Sequence, residues 1–348
     1  VETIVSDALK ASLKNPKETA FLLQYALCAK RAEAARNNHA KAGRHVPSFL
    51  IASITSRCNL HCAGCYARAN NICHDGADDN LLSDEQWDSI FVQAKEIGVS
   101  FVLLAGGEPM LRRGVIERAS SHPEILFPIF TNGTLLGDKT LELLDRRRNL
   151  LPIISVEGSE GQTDARRGAG TYQKLLDTMT ALQSHGIFFG ASITVTSENL
   201  AFVTSDAFLT NLRERGCKIA FYVEYVPADP GTESLAPGDS ERAYLTKRLD
   251  KLRARPDEMV YVAFPGDEQY AGGCMAAGRG FFHINPHGGA EPCPFSPVSD
   301  TSLRDVSLLE ALDSPLFVRL RSSELLAEHH DGACALFGRE DEVRGLIG

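Results

Sequence analysis

Residues 49–66 read FLIASITSRCNLHCAGCY. The first seven, 49–55, are apolar or β-prone and predict a strand. Cys58, Cys62 and Cys65 follow at the spacing C-x3-C-x2-C. Three thiolates on one tight loop repel one another until a cation shares their charge. Structural zinc takes four protein ligands, and only His61, between the cysteines, could join the three thiolates from this loop. The other common thiolate-bound centre is an iron–sulfur cluster. A 4Fe–4S cube on three cysteines would leave one iron for a ligand that is not protein.

Outward from this loop, apolar runs alternate with helical patterns. Residues 83–98 predict a helix with Ser83 as N-cap and Gln86 at capping-box spacing. Strands are expected at 100–106, 125–132, 152–158, 188–196 and 218–226, with helices near 138–148, 171–185 and 199–215 between them. The strands are apolar on both faces, which suits a parallel sheet covered by helices. The fold class is therefore α/β, a partial (β/α)6 TIM-like barrel, whose chemistry belongs at the C-terminal ends of the strands. The cysteine loop follows the first strand and falls on that rim. Residues 1–48 read as an N-terminal helical extension, with the apolar block around Leu22, Leu23, Tyr25, Ala26 and Leu27 docking on the main domain rather than on a membrane. Residues 49–258 form the barrel. After a charged helix at 238–255 the texture changes to Gly, Pro and Cys. FFHINPHGGAEPCP (281–294) predicts a hairpin turning at His287-Gly288-Gly289, followed by a helix at 306–321 and a loop with Cys334. Residues 259–348 are expected to form a small α+β domain.

Bulk properties set limits. Hydrophobic content of 43% and charged content of 23% are ordinary for a globular chain. A net charge of −9 argues against broad nucleic-acid binding, which needs a basic surface. No apolar stretch approaches the ~20 residues of a membrane span, and no secretory signal pattern opens the chain. The chain starts at Val1, so a removed initiator or tag is expected. Nine cysteines in a chain of this size point to metal or redox use in a reducing cytoplasm.

The run CNLHCAGCY, with Tyr66 directly after the last cysteine, resembles the cluster loop of the radical S-adenosylmethionine (SAM) superfamily. The resemblance extends over about residues 49–340. It implies a 4Fe–4S cluster on Cys58, Cys62 and Cys65 whose free iron is chelated by SAM, and cleavage of SAM to a 5′-deoxyadenosyl radical that abstracts hydrogen from a substrate. Gly106-Gly107-Glu108-Pro109 is similar to the family's GGEP motif, which holds the SAM amino group. By residue type alone it is either a ligand site or a tight strand-to-helix turn. The resemblance places Asn132, in Thr131-Asn132-Gly133, along the SAM pocket. It places Ser155 and Glu157 at the ribose or carboxylate, with Glu157 standing where relatives usually show Asp. Residues 163–168 resemble a DxxRG pattern, so Arg166 or Arg167 would pair with the SAM carboxylate. Ser192 or Thr194 on the fifth strand would face SAM.

Cys274, Gly288 and Cys293 match the opening of SPASM and Twitch extensions, which implies an auxiliary 4Fe–4S cluster completed by Cys334. A zinc site or plain buried thiols are the alternatives. Cys73, Cys217, His283, His287 or a substrate atom could be the fourth ligand; Cys28 reads as an ordinary cysteine. Glu224, Tyr225 and His283 are the candidates for catalytic contact with substrate, and Asp267, Glu268 and Arg279 flank the second cysteine pattern. The resemblance implies an enzyme that takes electrons from a flavodoxin- or ferredoxin-type donor and acts on a peptide or small molecule. The short N-terminal extension shifts weight toward small molecules. A radical SAM methyltransferase and a non-enzymatic iron–sulfur electron-transfer or carrier protein are the other readings.

Overall fold

The computed structural model describes residues 15–255, 259–326 and 334–347. Strands β1 (Phe49–Ser53), β2 (Phe101–Ala105), β3 (Phe127–Thr131), β4 (Leu150–Ser155), β5 (Gly190–Val195), β6 (Ile219–Glu224) and β7 (Val260–Phe264) lie parallel and side by side in chain order. A short antiparallel hairpin, β8 (His283–Ile284) and β9 (Ala290–Glu291), joins the far edge, with β8 parallel to β1. The sheet order is β7-β6-β5-β4-β3-β2-β1-β8-β9. This is the α/β part-barrel expected, with β7 added to the six expected strands. Residues after 259 continue the same sheet at both edges.

Helices cover the outer face. Helix Asp84–Ile97 starts where Ser83 and Gln86 exchange hydrogen bonds, Gln86 N donating to Ser83 Oγ (3.2 Å) and Ser83 N to Gln86 Oε1 (2.8 Å). Gly98, at φ +95°, ends it. Phe91 of this helix packs edge-on to Phe127 of β3, centroids 5.0 Å apart. The expected helix at 199–215 is broken into Leu200–Val203 and Asp206–Glu214, the second capped by Ser205. That at 306–321 is likewise split, because Pro315 starts a new helix, Pro315–Ser322, under a Ser314 cap.

The inner face holds a second apolar cluster of Leu151, Ile153, Ile219 and Val260, and helix Pro16–Lys41 inserts Phe21 and Leu22 into it. Tyr25 Oη donates to Ser100 O (2.9 Å), just before β2, and Glu18 pairs with Arg148 Nη1 (3.3 Å). All these anchors lie at the N-terminal ends of the strands, so this helix covers the floor of the part-barrel, opposite the cysteine loop. Leu23 and Leu27, expected to dock, are instead 55% and 63% exposed. Among the described residues no helix is long and apolar enough to cross a membrane.

Candidate functional site

The cysteine loop leaves the C-terminal end of β1 and is clasped by three neighbours. The first is β2. Gly107 N donates to Thr55 O and Glu108 N to Arg57 O, both at 2.8 Å. A Cβ on Gly106 would lie 2.4 Å from Thr55 O, and one on Gly107 would lie 2.1 Å from Arg57 O. The two glycines are therefore needed for this backbone approach itself. Glu108, 1% exposed, turns inward and accepts hydrogen bonds from Met110 N (3.0 Å), Thr131 Oγ1 (2.7 Å) and Asn132 N (2.7 Å). Burial pushes its carboxyl up to about 7, against the pull of those donors. Its side chain staples β2 to β3, while Pro109 opens the short turn Pro109–Leu111.

The second clasp is the end of β3. Asn132 Nδ2 donates to Asn59 Oδ1 (2.8 Å), and Asn59 Nδ2 to Thr134 Oγ1 (2.9 Å). The third is helix Glu160–Arg167, where Ala63 N donates to Arg166 O (2.8 Å) and Arg166 Nε to Ala63 O (3.2 Å). His61 contributes nothing to the thiol set, because its Nε2 sits on Asp75 (2.9 Å) and its ring is 65% exposed. Cys58, Cys62 and Cys65 are half-buried free thiols. The Cys73 thiol donates to Cys58 and lowers it to about 6, whereas burial raises Cys62.

Polar groups stand at the ends of β4, β5 and β6. Glu157 Oε1 accepts from Arg166 Nη1 (2.8 Å), Arg167 Nε (2.7 Å) and Arg167 Nη2. Burial favours the neutral acid, but the two guanidinium charges outweigh it and hold Glu157 below the usual carboxylate range. Glu157 Oε2 is buried without a partner. Arg166 and Arg167, expected to face a ligand carboxylate, are thus both turned onto Glu157. Ser155 and Ser192 are paired in register, and neither hydroxyl bonds to another described residue. Tyr225 is buried under the Arg166 guanidinium, 5.9 Å from its ring centroid, and its hydroxyl also lacks a partner. That hydroxyl lies 2.2 Å from where a Cβ on Gly64 would stand. Gly64, at φ +63°, thus admits β6 into the cysteine loop. The unpartnered buried oxygens of Glu157 and Tyr225 beside a three-thiol loop fit a polar ligand bearing ammonium and hydroxyl groups beside a metal cluster.

The second cysteine set lies beside the first. Cys274, Cys293 and Cys334 line one partly open space of about 350 Å³, together with Glu224, Glu268, Phe264, Phe281 and Phe295. Among the described residues no three His, Cys, Asp or Glu side chains meet around a single-ion position. The thiols here border a space instead. The Cys293 thiol donates to Cys334, raising Cys293 and lowering Cys334. Burial, then the charge of Glu268, raises Cys274. Phe295 packs against Tyr66 with the rings tilted and their centroids 4.8 Å apart, so an aromatic pair bridges the two cysteine sets.

Several expected ligands are occupied elsewhere. His283 is fully buried, with Nε2 against Ser53 Oγ (2.8 Å) and Nδ1 against Glu291 Oε2 (2.7 Å). It welds the β8–β9 hairpin to β1, which accounts for it without substrate contact. Cys73 lies at Cys58, Cys217 donates to Ile219 O (3.2 Å), and His287 Nδ1 faces Asn80 O (3.1 Å). Glu224 accepts from Arg242 Nε (2.7 Å), and burial raises it to about 7. Asp267 pairs with Arg253 (2.7 Å), and Arg279 donates to the carbonyls of Cys274, Leu326 and Gly272. Glu268 was legible only as a flanking acid. Its role at the thiols depends on a fold that joins residues 268, 274, 293 and 334.

Residues 52–201 match the Radical SAM superfamily. The chain is 27% identical over 311 residues to AdoMet-dependent heme synthase of Methanosarcina barkeri, covering 81% of this chain and 87% of that protein. It is 27% identical over 296 residues to PqqA peptide cyclase of Gluconobacter oxydans, covering 81% of each. Among solved structures, SuiB of Streptococcus suis bound to S-adenosylmethionine superposes with a TM-score of 0.70 at 18% identity, over 88% of this chain and 77% of that one.

Proposed function

The chain belongs to the radical SAM superfamily, and from that premise we propose that it modifies a peptide by hydrogen abstraction, with Cys58, Cys62 and Cys65 holding the SAM-binding 4Fe–4S cluster. When bound, the cluster and SAM supply a one-electron cleavage whose 5′-deoxyadenosyl radical abstracts hydrogen. The observation that carries the assignment is the loop itself: three thiols at the β1 end, with the Tyr225 hydroxyl against Gly64 and Glu157, whose Oε2 is buried without a partner, held by the Arg166 that clasps Ala63.

This chain's residues would divide the work as follows. Gly106 and Gly107 hold the loop backbone against β2. Glu108 and Asn132 lock the adjoining strand ends, so the thiols are presented on a rigid rim. Glu157, Ser155, Ser192 and Tyr225 bind and orient SAM, and Arg166 and Arg167 hold Glu157 charged and in place. The buried rim limits water around the reacting groups. Glu224 with Arg242, at the wall shared with the second cysteine set, would contact the substrate. Cys274, Cys293 and Cys334 would hold an auxiliary 4Fe–4S cluster.

A peptide substrate is supported by the similarity to PqqA peptide cyclase. The equal identity to a heme synthase favours a second reading, a non-peptide metabolite. A flavodoxin- or ferredoxin-type donor in a reducing cytoplasm completes the reading. The test is anaerobic reconstitution followed by SAM and dithionite. The proposal expects 5′-deoxyadenosine from the unaltered protein and none from a Cys58→Ala, Cys62→Ala, Cys65→Ala variant. An iron-loaded protein that yields none, with or without peptides and metabolites added, contradicts it.

A further inference from the structure

We infer that Arg279 is the positioning residue that assembles the second cysteine set, its guanidinium joining the stretch that carries Cys274 to the stretch that runs on to Cys334. This rests on the auxiliary-cluster reading above and says what makes that site able to load.

Cys274, Cys293 and Cys334 line one space, yet none of the three lies in a helix or strand. Thiols that must meet one cluster therefore depend on whatever ties their loops together. One tie is backbone: Ala277 N donates to Pro292 O (3.1 Å), which sets the Cys274 stretch against Cys293. The other is Arg279. Its Nη1 donates to Cys274 O and to Leu326 O, both at 2.8 Å, and its Nη2 donates to Gly272 O (3.1 Å). Leu326 closes the short turn Glu324–Leu326, and the chain continues from there to Cys334.

The two stretches meet backbone to backbone. Gly273 stands at φ +107°, and a Cβ on it would lie 2.8 Å from Leu326 O. Carbonyl oxygens gathered at one point repel one another unless a multiple donor stands between them. Arginine meets that need with several N–H groups in one rigid plane. Arg279 is itself fixed from a third direction, because His45 Nε2, in the segment before β1, donates to its carbonyl (2.6 Å).

The guanidinium also brings a positive charge to the Cys274 backbone, beside thiols that become thiolates on loading. Charge and geometry are separable here. Lysine keeps the charge, but its ammonium is a point on a flexible stem and does not span the carbonyls on both sides.

The test uses the full chain with Cys58, Cys62 and Cys65 changed to Ala, so that only the second site carries iron. After anaerobic reconstitution, iron is counted and electron paramagnetic resonance of the reduced protein is recorded. This background should hold about four irons per chain. Adding Arg279→Lys should cut that to roughly half or less and alter the spectrum of what remains. Adding Gly273→Ala, which parts the same two stretches and leaves the guanidinium in place, should do likewise. Full loading with an unchanged spectrum in either variant overturns the assignment; in Arg279→Lys it would mean that charge alone suffices. Arg279→Lys is also made in the protein lacking Cys274, Cys293 and Cys334. There the iron of the first loop, and the response of its spectrum to SAM, should not change. A loss at the first loop as large as that at the second overturns the assignment in favour of a general effect on folding. Absence of iron from the background itself overturns the auxiliary cluster, and the assignment with it.

Discussion

Gly64 sits between Cys62 and Cys65 at φ +63°, with the Tyr225 hydroxyl where its side chain would be. Two separate penalties therefore act on Gly64→Ala: left-handed backbone strain of about 1–2 kcal/mol and displacement of a buried ring. We expect G64A to lose most of the loop's iron when reconstituted in the background lacking Cys274, Cys293 and Cys334. Pairing G64A with Tyr225→Ala should recover part of it, because the clash is gone and only the strain remains. Iron content unchanged in G64A would show that β6 does not shape the loop. The three cysteines were legible in the sequence because their spacing is local. The Tyr225 contact was not, since only the folded sheet brings β6 over the loop. Glu108 also has a role that its motif did not show: its carboxylate accepts from Met110, Thr131 and Asn132 and ties β2 to β3.

At the scale of elements, capping and alternation made helix Asp84–Ile97 and the parallel strands readable, whereas the partner of the N-terminal helix was not. Its own pattern is only weakly amphipathic in burial, with Leu22 and Tyr25 buried and Leu23 and Leu27 exposed. It is held on the barrel floor by Phe21 and Leu22 in the inner apolar cluster, by Tyr25 on Ser100 O and by the contact of Glu18 with Arg148, none of which a local pattern announces. Burial raises Glu18 to about 7 in the folded state, against the partial relief from Arg148. A folded pKa above the unfolded one means that the native state holds the extra proton between roughly pH 4.5 and 7. Stability from this group is present at low pH and declines as pH rises through 7. Urea midpoints of the parent and Glu18→Gln should therefore converge or cross in the variant's favour from pH 5 to 8, by up to about 3 kcal/mol. A constant difference across that range would show that Glu18 ionises normally.

At the scale of the molecule, one sheet carries everything. β7 leads into Glu268 and Cys274, the β8–β9 hairpin leads into Cys293, and β1, which β8 flanks, leads into the first cysteine loop. Cys293 is thus a neighbour of the first loop by strand order while Cys274 comes from the opposite edge of the sheet, and the two cysteine sets are joined at Tyr66 and Phe295. The change in sequence texture after 259 suggested a separate unit. It could not reveal that this segment supplies both edges of the barrel's own sheet, because pairing of β8 with β1 spans most of the chain. The central claim is that the loop of Cys58, Cys62 and Cys65 binds a cluster whose free iron takes SAM. The most direct measurement is electron paramagnetic resonance of the reduced, reconstituted protein carrying Cys274→Ala, Cys293→Ala and Cys334→Ala, before and after SAM is added. The account predicts that saturating SAM shifts the signal of the remaining cluster; a loaded, reducible cluster whose signal SAM leaves unchanged would contradict it.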